Sequence, residues 1–263
     1  MSRLSAVFGR GRPAFVAYIM GGDPDRAASQ ALLDALPAAG ADIVELGFPF
    51  TDPMADGPTI EEAGIRARKA GASLRSVLEM AGAFRAKHPD VPVILMGYAN
   101  PVYQMGYAAF ADAALEAGVD GLILVDLPPE EDGELRAEMD ARGLSLIRLA
   151  TPTTDAERLP AVVSGSSGFV YYVSMTGVTG GSLAGGGSVA EQVARVREAS
   201  GLPVVVGFGV KTPERAADIA AQADGVVVGS AIVKAMHHGG PDAALGVVRD
   251  LAEATHGVDV ATP

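Results

Sequence analysis

Residues 43 to 58 read IVELGFPFTDPMADGP and hold three carboxylates, Glu45, Asp52 and Asp56, among prolines, glycines and apolar side chains. A carboxylate that closes an apolar run is desolvated, which raises its pKa and lets it carry a proton near neutrality. Asp56 lies eleven residues on, in a loop able to reach the same pocket. Two carboxylates in unlike surroundings can divide the roles of acid and base. Two other readings stand beside this one. Each carboxylate could cap or turn the chain, which accounts best for Asp52 in Thr51-Asp52-Pro53, or the three could hold a divalent metal ion.

Two glycine-bearing segments suggest the substrate. Gly207 to Gly209 (GFG) and Gly229 to Lys234 (GSAIVK) combine glycines with Ser230, poised to cap a short helix. Backbone N–H groups and a helix N-terminus bind anions by local dipoles, so an acidic chain can still hold a phosphate there. The plainer reading is a pair of tight turns. Thr176 to Ser188 (TGVTGGSLAGGGS) has six glycines and no charge, which suits a flexible connection or a mobile lid.

Eight short apolar runs must position these residues. They begin at Ala14 (AFVAYIM), Asp42 (DIVELG), Val91 (VPVILM), Gly121 (GLILVD), Leu144 (LSLIRLA), Gly168 (GFVYYVS), Pro203 (PVVVGFG) and Gly225 (GVVVGS). Near-continuous hydrophobicity suits parallel strands buried on both faces. Helical patterns lie between them, one starting at Thr212-Pro213-Glu214, with Thr as N-cap and Pro in the first turn. AGAD and AGVD, from Ala39 and Ala117, form a faint repeat before the second and fourth runs. Eight such units predict a single-domain α/β fold over residues 1–263, a closed (β/α)8 barrel of eight parallel strands. An open doubly wound sheet is the alternative, but GGDPDRA after the first run is not a dinucleotide fingerprint. In a barrel, chemistry gathers where strands end, which selects Glu45, the 50–57 loop and both glycine segments.

Composition narrows the partners. The net charge is −12, with no basic run and no tryptophan, so nucleic acid and anionic membrane are poor partners. Without cysteine there is no thiolate chemistry or disulfide, and a cytoplasmic protein is expected. No apolar run approaches the roughly 20 residues of a membrane span. The histidines (His88, His237, His238, His256) fall at predicted helix ends or in the tail, and assemble neither a Ser-His-Asp set nor a zinc cluster. No lysine lies within a strand run, as a Schiff-base aldolase would want. Acid–base chemistry on a small phosphorylated substrate remains.

Across essentially its whole length the chain resembles the tryptophan synthase alpha chain family. The segments VELGFPFTDPMADGPTI, GYANPVYQMG, SMTGVTGG, VGFGVKTPE and GSAIVK occur in family order. The resemblance implies cleavage of indole-3-glycerol phosphate to indole and glyceraldehyde 3-phosphate. It makes Glu45 the proton-transferring glutamate and Asp56 the acceptor of the indole N–H. It matches Tyr18, Met96, Tyr98 and Tyr171 to the pocket and Thr179 to the lid. Phosphate would be held by Gly180, Phe208, Gly209, Gly229 and Ser230. It implies no metal and no cofactor on this chain, with pyridoxal phosphate on a beta-chain partner in an alpha2-beta2 tetramer. The 52–57 loop and Asn100 to Gly106 are the expected contacts with that partner. Another phosphate-binding barrel isomerase, a metal-dependent aldolase and a non-catalytic partner subunit are the competing readings.

Overall fold

In the computed structural model, which describes residues 2–174, 188–207 and 209–258, parallel strands alternate with helices. The strands are β1 (Ala14–Met20), β2 (Ile43–Gly47), β3 (Val93–Gly97), β4 (Gly121–Leu124), β5 (Ser145–Leu146), β6 (Arg148–Ala150), β7 (Val170–Val173), β8 (Val204–Gly207) and β9 (Gly225–Val228). Their order in the sheet is β5-β4-β3-β2-β1-β9-β8-β7-β6. Among the described residues nine strands stand where eight are expected, because the fifth apolar run is interrupted at Ile147. Its first piece pairs with β4 and its second with β7. The Ile147 N–H still donates to the Leu122 carbonyl at 2.9 Å. The two ends of the sheet are thus consecutive pieces of one chain segment, and the barrel closes through Ile147.

Side chains alternate between two cores. Phe15, Ala17 and Ile19 of β1 face the surrounding helices, while Val16 faces inward with Ile43, Ile94, Ile123, Ile147, Phe169, Val205 and Val227. This inner layer of mostly branched side chains fills the barrel. The helix Arg3–Phe8 adds Leu4 and Val7 to the same cluster. Burial on both faces explains why the strand runs lack polar alternation.

The AGAD and AGVD repeat has a structural basis. Asp42, just before β2, accepts the Phe15 N–H of β1 at 3.0 Å. Asp120, just before β4, accepts the Val93 N–H of β3 at 2.9 Å. Asp224, before β9, does the same for Val204 of β8 at 2.7 Å, and the Ser167 hydroxyl, before β7, serves Leu146 of β5 at 3.2 Å. Ahead of β2, β4, β7 and β9, therefore, lies a side chain that satisfies a backbone donor of the preceding apolar run.

Asp42 is the most heavily bonded of these. Arg10 and Arg12 each reach its Oδ1 at 2.7 Å, and His256 Nε2 lies 2.7 Å from Oδ2. Burial alone would raise its pKa, but bonds from His256, Arg12 and the Phe15 N–H hold it well below the usual carboxylate range. Asp42→Asn is expected to cost about 3 kcal/mol, or a fall of roughly 10 °C in Tm, because it removes the buried charge that Arg10, Arg12 and His256 surround and puts an amide donor among their donors. The folded pKa is depressed, so this contribution is complete above about pH 4 and drains away as pH falls through the folded value. Thermal melts of both proteins at pH 7 measure its size, and melts continued down to pH 3 follow the start of its loss. Equal Tm at pH 7 would contradict the assignment.

Candidate active site

The inner face of the sheet changes character toward the strand ends. Above Ile43 the next inward position is Glu45, beside Tyr18 of β1 in the parallel register. Glu45 is 1% exposed, and its Oε2 has no hydrogen-bond partner among the described residues. Nothing offsets its desolvation, and burial pushes the carboxyl up to about 8. At pH 7 this residue is mostly a neutral acid.

Glycines at the strand ends leave room for rings to lean over the barrel mouth. A Cβ at Gly47 would collide with the Tyr18 hydroxyl, one at Gly97 with the Phe48 ring, and one at Gly207 with the Tyr171 hydroxyl. Each large side chain reaches across to the end of the neighbouring strand. Burial raises the pKa of Tyr18 and Tyr171, with Glu45 a further cause for both. Both phenols stay protonated and able to donate near neutrality.

The second carboxylate arrives on the loop after β2. The Tyr98 hydroxyl donates to Asp56 Oδ1 at 3.0 Å and accepts the Ala55 N–H at 3.0 Å. Phe50 stacks on the Tyr98 ring, with centroids 5.3 Å apart. One phenol thus pins the loop to the end of β3. Burial raises the Asp56 pKa, the Tyr98 bond opposes that, and Glu61 adds to it. Asp52 is exposed and hydrogen-bonded by the Thr51 hydroxyl. Among the described residues no group of three His, Asp or Glu side chains converges as metal ligands.

β8 and β9 run side by side, with Gly207 opposite Val227, so the turns that follow them are neighbours. Gly209 has a φ of 76°, a left-handed conformation that suits glycine. Ser230 does not cap its helix as expected. Gly229 holds the N-cap position, and Ser230 is the first residue of the segment Ser230–His256, in which two helices meet at a non-helical Gly240. The free N–H groups of that first turn remain available to an anion. Thr212 does cap the helix Pro213–Ala220, accepting from the Arg215 N–H.

These elements enclose one cavity of about 300 Å³. Of the expected site residues, Tyr18, Glu45, Asp56, Met96, Tyr98, Tyr171, Gly209, Gly229 and Ser230 all line it. Thr179, Gly180 and Phe208 lie outside the described residues, as does the glycine-rich segment up to Gly187. Phe48, Ile60 and Val125 line the cavity too, without having been singled out in the sequence, and so do Val210 and Lys211 of the segment VGFGVKTPE. Phe48 had a signal in hindsight, an aromatic side chain directly after a strand-end glycine. Ile60 had none, since it sits in the helix Pro58–Lys69.

The chain matches the family model for the tryptophan synthase alpha chain over residues 4–261. It is 56% identical over 254 residues to the tryptophan synthase alpha chain of Novosphingobium aromaticivorans, covering 97% of this chain and 95% of that one. The tryptophan synthase alpha chain of a Caulobacter species is 57% identical over 231 residues, or 88% and 84% of the two chains. Among solved structures, tryptophan synthase from M. tuberculosis in an aminoacrylate-bound form superposes with a TM-score of 0.88 at 37% identity, covering 97% of this chain and 100% of that chain.

Proposed function

This chain belongs to the tryptophan synthase alpha chain family, and we propose that Glu45 and Asp56 carry out its reaction. That reaction is the cleavage of indole-3-glycerol phosphate to indole and glyceraldehyde 3-phosphate, a lyase step late in tryptophan biosynthesis. The chain works with a beta chain in an alpha2-beta2 tetramer, and pyridoxal phosphate belongs to the beta chain. We read residues 1–263 as a single-domain enzyme of the cytoplasm, which a sequence without cysteine supports.

Indole cannot leave as a bare carbanion. Glu45, neutral at pH 7, donates its proton to C3 of the indole ring, and the positive charge moves to the ring nitrogen. Asp56 accepts the N–H and stabilises that cation. The Glu45 carboxylate then takes the proton of the glycerol hydroxyl on the carbon attached to the ring. The carbon–carbon bond breaks, its electrons restore the aromatic ring, and the aldehyde forms. Glu45 ends protonated, as it began. The observation that carries this reading is a buried Glu45, its Oε2 without a hydrogen-bond partner among the described residues, in the same cavity as a loop carboxylate held by a tyrosine. Tyr18, Met96, Tyr98 and Tyr171 wall the ring site. Phosphate sits over Gly209, Gly229 and Ser230, and the family resemblance assigns further roles to Gly180, Phe208 and the lid residue Thr179. The test is to supply indole-3-glycerol phosphate with a chelator present and follow indole. None formed, even with a beta chain added, would sink the reading.

The beta chain is expected to activate this one. Asp56 rides on a loop whose tip, Met54, is 83% exposed, and Tyr103 of the adjacent helix Ala99–Met105 is 64% exposed. Apolar side chains of this size in the open are poised for a partner surface. A partner that holds the loop in its working position should raise turnover about 30-fold, which needs roughly 2 kcal/mol of differential binding. Titration with a matched beta chain under saturating substrate, following glyceraldehyde 3-phosphate, measures this. A rate that stays flat as the complex forms would show that the isolated chain already works at full speed.

A further inference from the structure

We infer that Lys211 is a binding residue for the substrate's phosphate, supplying the one full positive charge at an anion site otherwise built from backbone dipoles. The inference rests on the placement of phosphate after β8 and β9 given above. Among the described residues Lys211 is the only basic side chain lining the cavity, which it shares with Gly209, Gly229 and Ser230. Its position is fixed from both sides. Val210, before it, is buried in the outer core, and Thr212, after it, caps the helix Pro213–Ala220. Its ammonium has no acidic partner among the described residues, so no ion pair competes for it.

Charge explains why a cation is useful there. The chain carries a net charge of −12, and the cavity holds Asp56 as a carboxylate. A phosphate monoester arrives as a dianion near neutrality. Helix and loop dipoles bind it at contact range, but they fall off within a turn and do not offset the long-range repulsion. A single exposed lysine at the rim offsets it locally and draws the phosphate end of the substrate to the β8–β9 side. It thereby sets which end of the substrate meets Glu45. Being exposed, it acts on capture and affinity rather than on the bond-breaking step.

The experiment compares wild type, Lys211→Gln, Lys211→Arg and Gly209→Val as full chains bound to the beta chain. It reads KM and kcat for indole-3-glycerol phosphate, and the Kd of inorganic phosphate and of indole by calorimetry at low and high salt. Lys211→Gln is expected to raise KM and the phosphate Kd about 5-fold, the scale of one exposed charge pair. It should move kcat far less, leave indole affinity alone, and flatten the salt dependence of phosphate binding. Lys211→Arg should restore most of the affinity. Phosphate affinity unchanged in Lys211→Gln but weakened in Gly209→Val, which forces a side chain and a strained backbone onto the left-handed turn, overturns the role of Lys211 and keeps the anion site. Affinity unchanged in both variants overturns the placement of the site itself. Loss of indole binding in Lys211→Gln would show a collapsed cavity instead of a lost charge, and would also overturn the inference.

Discussion

Glu45→Gln is expected to lower turnover by at least about 100-fold, the usual scale of a positioned acid or base, while making the fold more stable. Glutamine has the shape of the protonated acid but no proton to give to the indole ring, and none to recover from the glycerol hydroxyl. The stability effect follows from the raised pKa, about 8 in the folded chain. Between pH 4.5 and 8 the unfolded chain ionises this residue while the folded chain keeps its proton, so stability falls with rising pH. Glutamine removes that penalty. Its Tm should exceed that of wild type by at least about 3 °C at pH 8, and the gap should close toward pH 4.5. Steady-state assays and melts on the same samples separate the two effects. A variant that is both slow and less stable at pH 8 would point to damage of the barrel rather than loss of an acid.

Asp56→Asn should also cost at least about 100-fold in turnover. An amide can still accept the indole N–H through its oxygen, so substrate binding should persist. It carries no negative charge to stabilise the cation formed when C3 is protonated, and that interaction strengthens only as the reaction proceeds. Asp52→Asn is the contrast. Asp52 is four residues away on the same loop but exposed, and Thr51 hydrogen-bonds it. Its loss should change the isolated chain by less than about 3-fold, in line with a surface substitution away from the chemistry. Equal losses for the two would mean that the loop matters as a body and that Asp56 has no separate chemical role.

The barrel was legible because its eight apolar runs are uniform, and burial on both faces demands that uniformity. The break at Ile147 was not, because Leu144 to Ala150 is as apolar as its neighbours except for Arg148. What divides it is a change of pairing partner, a property of barrel closure and not of the local residues. Glu45 and Asp56 were legible as charges where an apolar strand gives way to a loop. The seating of Tyr18 over Gly47 and Tyr171 over Gly207 was not, since each pair joins residues of different strands. Ser230 misled in a simple way. A serine after a glycine at a helix start has the composition of a cap, but the chain turns one residue earlier and leaves the cap position to Gly229. The aspartates before β2 and β4 were visible as a repeat, but their purpose needed the strands they serve.

The central claim is that Glu45 enters the reaction as an acid and Asp56 as a carboxylate. The pH dependence of kcat/KM for indole-3-glycerol phosphate tests it most directly, because that ratio reports the free enzyme. The account predicts a bell. Its acid limb belongs to Asp56, raised by burial from its ordinary value, and its alkaline limb, near pH 8, to Glu45. A ratio that keeps climbing from pH 8 to pH 9 would mean that Glu45 acts from its ionised form, and would contradict the account.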